Sequence, residues 1–462
     1  MPRSQRKRFW LFADMKGQGS QPFPLPIFVF IVFTSFSFES TAEFDSLLQL
    51  PLSGSNATRP KSKRVFDLRD FGAKGDGFSN DTQALLAAWK MACSFPTRTR
   101  VVFPASNTFL VHPIELHGPC RSRLTLRIYG TINAPKDPDA WAGRNPRKWL
   151  YFRGVNHLTL EGGGEINGMG YEWWMRSCKI NSTNPCRHAP TVRRSSAAMT
   201  FHKCKNLKIR HLLVIDSQQM HVSFTNCLRV VASDLKVIAP AFSPNTDGIH
   251  ISASRGVTVT NSIISTGDDC ISIVSNSSRV LIRNIACGPG HGISIGSLGK
   301  QNTWAQVRNV MVDGAVLSNT KNGVRIKTWQ GGSGFATDIT FKNILMKNVS
   351  NPIIIDQYYC DSDLPCANQT SAVKVGDISF IHIKGTAATK EAIKFACSDT
   401  SPCEDLFLED ILLLSNDGDI LTSLCWQAQG SNSGPVYPPS CFLSNENFIE
   451  QVVQPDPVSH SF

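Results

Sequence analysis

"GIHISASRGVTVT", residues 248 to 260, is followed by "CISIVSNSSRVLI", residues 270 to 282, and the two stretches are built alike. Each opens on an alternating apolar triplet, crosses a short polar break and resumes on a second triplet. The first triplets recur as Met199-Thr-Phe201, Val222-Ser-Phe224, Ile249-His-Ile251, Ile271-Ser-Ile273, Ile293-Ser-Ile295, Val324-Arg-Ile326 and Ile353-Ile-Ile355, at steps of 23, 27, 22, 22, 31 and 29 residues. The second series runs through Leu207, Val230, Val257, Val280, Val310, Ile339 and Ile378, at steps of 23, 27, 23, 30, 29 and 39. Two strand series advancing together indicate a solenoid in which each coil stacks on the last. A β-sandwich also uses many short strands, but it does not keep two series in step over so many turns. The pattern predicts an all-β right-handed parallel β-helix.

Ahead of the repeat, "DTQALLAAWKMAC" places Leu85, Ala88, Trp89 and Ala92 on one helical face, and Asn80 or Asp81 can cap it. This short N-terminal helix is expected to cover the open end of the solenoid. "FGAKGDG", 71 to 77, lacks the ending of a phosphate loop and reads as a turn. Further upstream, Arg3, Arg6, Lys7, Arg8 and Lys16 precede an apolar run from Ile27 to Phe38 and the small residues Ser40, Thr41 and Ala42. Residues 1–42 read as a secretory signal, of more ordinary length if the start is Met15, because the run is short of the ~20 residues that span a bilayer. Residues 43–64 read as a leader or propeptide, 65–445 as the β-helix domain and 446–462 as a tail. Fourteen cysteines and several N-x-S/T triplets agree with an oxidising, extracellular destination. Pairing of sequence neighbours is the simplest disulfide scheme: Cys178 with Cys186, Cys270 with Cys287, Cys360 with Cys366, Cys397 with Cys403 and Cys425 with Cys441. The absence of any C-x-x-C pair argues against zinc.

Removal of residues 1–42 leaves 42 Lys and Arg against 34 Asp and Glu. A net charge of +8 on the secreted chain suits a polyanionic partner. The lack of a helix-turn-helix, zinc-finger or aromatic RNA-binding signature makes nucleic acid a poor candidate for that polyanion.

Stacking lets the sequence be read in columns. Asp247, Asp269 and His291 each lie two positions before the first isoleucine of consecutive coils, and Asp268 lies beside that file. Arg325 and Lys327 take alternating outward positions one coil further on. Asp247 requires a break of alternation at Gly248 to face outward. Three carboxylates in two adjacent coils raise one another's pKa, which is costly as mere structure. A protonated and an ionised carboxyl side by side are the equipment of glycoside hydrolysis.

"SPNTDGIHI", "STGDDCISI", "CGPGHGISIGSLG" and "VRIKTW" together resemble the four signature segments of the polygalacturonases, family 28 of the glycoside hydrolases. The resemblance extends from about Val65 to Cys441. It implies a right-handed parallel β-helix that uses no metal or other cofactor and hydrolyses α-1,4-galacturonosyl bonds of demethylated homogalacturonan with inversion. Carried over to these positions, it makes Asp268 the general acid, kept protonated and placed by His291. Asp247 and Asp269 would hold and activate water. Arg325 and Lys327 would bind the uronate, Asn245 would line a subsite, and Tyr359, rather than Tyr358, fits the spacing of the cleft tyrosine. The expected protein is a secreted, monomeric cell-wall enzyme without stable membrane association. Endo attack is favoured over exo. A pectate lyase would need calcium-binding acids, and a rhamnogalacturonan hydrolase should lack the complete NTDG and RIK set. A protein that only holds pectin in the same cleft would release no reducing sugar.

Overall fold

The computed structural model describes residues 64–180, 183, 197–361 and 366–442. The expected signal, the tail and all of the leader but Arg64 lie outside them. The described fold begins with strand Arg64–Asp67.

Strands pair in parallel into one sheet of 17 strands and another of 11. The 11-stranded sheet contains the first series in register: Met199 opposes Val222, then Ile249, Ile271, Ile293, Val324 and Ile353 follow rung by rung. In the 17-stranded sheet Leu207, Val230, Val257, Val280, Val310, Ile339 and Ile378 are likewise successive partners. This is the parallel β-helix expected from the two series.

The reason lies in the alternation. Ile249, Ile251, Ile271, Ile273, Ile293 and Ile295 are wholly buried, so every coil adds the same apolar layer to one continuous core. β-Branched side chains suit the pleated, crowded inner face. Where space allows rings, they stack: Phe152 on Phe201 at 4.8 Å and Phe341 on Phe380 at 5.4 Å between centroids. The longer strands of the larger sheet are bent by left-handed residues such as Asp234, Asn261, Asn284 and Asn343, and Asn284 Nδ2 donates to Asn261 Oδ1 of the preceding coil at 3.2 Å.

Coils also precede Met199. Leu150 opposes it, and Ile114 opposes Leu150, but an insertion containing the helix Tyr171–Met175 separates Leu150 from Met199 and hides the period in sequence. At the N-terminus, helix Thr82–Ser94 buries Leu85, Ala88, Trp89 and Ala92. Asp81 takes the N-cap position without a side-chain cap bond, and Asn80 Oδ1, one residue earlier, accepts the Thr82 N–H at 3.1 Å. Asp81 instead accepts the N–H groups of Lys74 and Gly75, folding the "FGAKGDG" turn. The Trp89 indole donates to the His117 carbonyl at 3.0 Å and fastens the helix to the first coils.

Cys270–Cys287, Cys360–Cys366, Cys397–Cys403 and Cys425–Cys441 are disulfides. The proposed partner of Cys178, Cys186, lies outside the described residues. The neighbour scheme omitted Cys93–Cys120, which ties the capping helix to the wall. Cys204 and Cys227 are buried free thiols. Among the described residues no helix is long and apolar enough to cross a membrane.

Replacing Ile271 by Ala removes a wholly buried side chain from a rung flanked on both sides. A loss of about 2–5 kcal/mol is expected. The measurement is the shift in urea unfolding midpoint.

Candidate active site

The acids stand on turns that enter the 11-stranded sheet. Before strand Ile249–Ser252, Asn245 adopts φ of +55°, and Thr246 Oγ1 accepts the Gly267 N–H at 3.0 Å. That bond links the Asp247 turn to the turn carrying Asp268 and Asp269. Gly248 donates to the Asp269 carbonyl at 2.9 Å. A Cβ at Gly248 would lie 2.6 Å from the Cys270 carbonyl oxygen, so the close approach requires glycine.

Two further devices fix these turns. Cys270, directly after Asp269, is bonded to Cys287, which ends the strand leading to His291. The wholly buried His221 donates its backbone N–H to the Asp247 carbonyl at 2.8 Å, and its Nδ1 lies 3.2 Å from the same oxygen. Its Nε2 accepts the Ser217 N–H, so both ring nitrogens are used by a neutral imidazole. Burial pushes its pKa down to about 4.

The outer face of the sheet forms the floor. One file runs Tyr151, Thr200, Ser223, His250, Ser272, Ser294, Arg325. The neighbouring file includes Gly296, Lys327 and Asp356. Asp269 leans onto these files: Oδ1 accepts from Arg325 Nη2 at 2.7 Å and Ser294 Oγ at 2.9 Å, and Oδ2 accepts from Lys327 Nζ at 2.8 Å. Arg325 and Lys327 are only 9% and 7% exposed. Their alternating positions do face the floor, but their charges are already engaged by Asp269.

Asp268 takes the other direction and meets His291, Oδ1 to Nδ1 at 3.1 Å. Burial raises the Asp268 pKa, but the His291 hydrogen bond and charge, with Lys327 behind them, outweigh it and hold the carboxyl well below the usual range. Asp247 lies on the opposite course. Burial and the nearby Asp268 charge push it up, against the His250 imidazole 3.9 Å away. Ser272 Oγ donates to Asp247 Oδ2 at 2.6 Å and contacts His250 Nδ1 at 2.8 Å. The field of the protein therefore favours the proton on Asp247 and charge on Asp268. The expectation that His291 keeps Asp268 protonated needs correction: the hydrogen bond with His291 lowers the Asp268 pKa.

Asp268, Asp269 and His291 bring three ligand atoms within 4.8 Å of one another, a separation a metal could use. The donor set does not suit one. Both Asp269 oxygens are bound by fixed cations, which would repel a metal ion at that point.

The profile of Glycosyl hydrolases family 28 matches residues 93–431. The chain belongs to this family. It is 59% identical over 430 residues to a probable polygalacturonase of Arabidopsis thaliana, covering 93% of this chain and 96% of that one. It is 52% identical over 356 residues to a polygalacturonase of Persea americana, covering 77% and 75% of the two chains. The solved polygalacturonase from Erwinia carotovora ssp. carotovora matches with a TM-score of 0.64 at 21% identity, over 82% of this chain and 99% of that one, a likeness of fold.

This family 28 site also includes residues that sequence columns did not reveal. Lys179 Nζ reaches Asn245 Oδ1 at 3.0 Å and Asp361 at 3.5 Å. It belongs to the insertion, where no period guides a reading. Asp356, raised by burial, is opposite Lys327 on the next rung and was legible as an outward position of "PIIID". Tyr359 lies with its ring 5.3 Å from Lys327 Nζ and edge-on to Trp329, whereas Tyr358 turns its hydroxyl to Asp399. In the other direction a polar groove of about 540 Å³ extends along the floor past His250, Ser223 and Tyr151.

Replacing both Cys270 and Cys287 with Ser opens a covalent loop across a 17-residue separation. The expected cost is about 3 kcal/mol. Because this loop joins the Asp268 and His291 turns, turnover should fall further than the unfolded fraction explains. Thermal unfolding and steady-state kinetics on one preparation separate the two effects.

Proposed function

We propose that this family 28 enzyme is a polygalacturonase that hydrolyses α-1,4-galacturonosyl bonds of demethylated homogalacturonan with inversion. The observation that carries the reading is the gathering of Asp247, Asp268 and Asp269 on two linked turns, with Asp268 hydrogen-bonded to His291 and Asp269 held by two cations. Hydrolysis with inversion needs a carboxyl to protonate the leaving oxygen and a carboxylate to activate water on the opposite face. The identity with plant polygalacturonases supports the pectin substrate.

Asp268 is the acid in this reading. A hydrogen bond between its Oδ1 and His291 Nδ1 requires one proton between them, and that proton is the one to be delivered. A bound uronate adds negative charge and expels water, and both changes return the proton to the carboxyl. Asp247 activates water once ionised, and Asp269 positions it. Arg325 offers a planar fork and Lys327 a point charge to the uronate, in competition with Asp269. Asn245 and Tyr359 line sugar subsites. Endo attack is supported by polar groove on one side of the acids and the Tyr359–Trp329 pair on the other. The basic lead and short apolar run support secretion to the cell wall through cleavage near Ala42.

Asp268→Asn should lower kcat on polygalacturonate by at least ~100-fold, the scale of a lost general acid. Proton NMR of early wild-type hydrolysis should show the β-anomer first. An α-anomer, or a fully active Asp268→Asn protein, would overturn the assignment.

The acidic limb of the pH–rate profile is expected above the ordinary carboxylate pKa of ~3.9, because Asp247 is raised and must lose its proton to act. His250 opposes that rise. His250→Ala should therefore move the acidic limb to higher pH, leaving the basic limb in place.

A further inference from the structure

The larger sheet has a second charged surface, on four coils that precede those carrying the acids. Strands Thr99–Phe103, Leu124–Ile128, Leu158–Glu161 and Lys205–Ile215 are neighbours in that order. Val101, Leu126, Leu160 and Ile209 point into the core. The intervening residues consequently face out, and Arg100, Thr125, Thr159 and Lys208 form one file across the rungs. Arg98 and Arg123 stand where their strands begin. With Arg127, Glu161 and Arg210 they line a groove of about 380 Å³.

The charges in this groove do not cancel. Its carboxylate, Glu161, is bracketed by Arg127 Nε at 3.0 Å and Arg210 Nη2 at 2.6 Å. Among the described residues no acidic group forms an ion pair with Arg98, Arg100, Arg123 or Lys208. A solvated face usually intersperses both signs, and like charges on adjacent rungs repel. A rigid sheet cannot spread them apart.

The chemistry that would relieve this repulsion is a repeated anion. Arg98 and Arg123 begin adjacent rungs, which lie about 4.8 Å apart, and Arg100 and Lys208 stand three rungs apart on one file, so an extended chain with one carboxylate per sugar would meet cations at several points along its length. Thr125 and Thr159 place hydroxyls between the cations, suited to sugar hydroxyls. The lining contains no Phe, Tyr or Trp, the stacking platforms expected for single-stranded nucleic acid. We propose that this groove is a second, non-catalytic binding site for a polyuronate chain. It would hold one stretch of polymer by its carboxylates while another stretch occupies the cleft, raising the effective concentration of cleavable bonds. The proposal rests on the pectin-directed reading of the cleft.

The test uses the full secreted protein with Arg100→Glu and Lys208→Glu combined, and separately with Arg98→Gln and Arg123→Gln. Turnover of tetragalacturonate reports on the fold and the cleft, and should be unchanged in both variants. Affinity for long polygalacturonate, measured in an Asp268→Asn background to prevent hydrolysis, should fall about tenfold, the scale of losing a second attachment point. Equal polymer affinity in parent and variants would overturn the proposal, as would an equal loss on tetragalacturonate, which would place the effect in the cleft. Tighter binding of duplex DNA than of polygalacturonate at the same salt concentration would overturn the choice of ligand. If the unaltered enzyme did not cleave tetragalacturonate, the functional reading of the cleft would fail instead, independently of polymer binding.

Discussion

Parallel backbone pairing between successive coils is the constraint on which the molecule depends. Each rung fixes its neighbour's register, and slipping by a single residue would turn buried isoleucines outward and bring His250, Ser272 and Ser294 into the core. The apolar triplets therefore place the polar residues between them as firmly as they place themselves. Residues separated by more than 50 positions, such as Asp269 and Arg325, come within 2.7 Å because the ladder leaves them no other place.

Within that frame, the acid cluster is tolerable because its charges are treated unequally. Asp269 has two cations and a hydroxyl, Asp268 has an imidazole, and Asp247 has hydroxyl support and burial. The same three residue types in a row thus occupy three different electrostatic environments. Lys327 participates in more than one of them, since it binds Asp269, lowers Asp268 and lies over Tyr359. A change there removes a counter-charge from two carboxylates, so its effect would not be confined to the proposed uronate contact.

Register was legible in the sequence because it is carried by spacing. Both triplet series matched their partners, and the outward files follow from them by counting. Direction at the turns was less legible. Whether Asp247 faces in or out depends on the Asn245 backbone and on the room left at Gly248, neither of which alternation encodes. The engagement of Arg325 and Lys327 by Asp269 was hidden for another reason: a column shows who is near, not which bonds are made. Lys179 and the coils before Met199 were missed because the insertion interrupts the period. Cys93 and Cys120 were missed because their partnership joins a helix to the wall, outside the repeat.

Because backbone pairing joins each coil only to the coil before and the coil after, length is a separable property of this architecture. The residues of the proposed reaction centre occupy the rungs from Asp247 to Lys327, and those on either side extend the floor. A lineage could add or delete a whole turn at either end and alter how many sugars the floor accommodates while the proton-handling residues keep their spacing. The stacked form thus allows the reach of the enzyme and its chemistry to evolve at different rates.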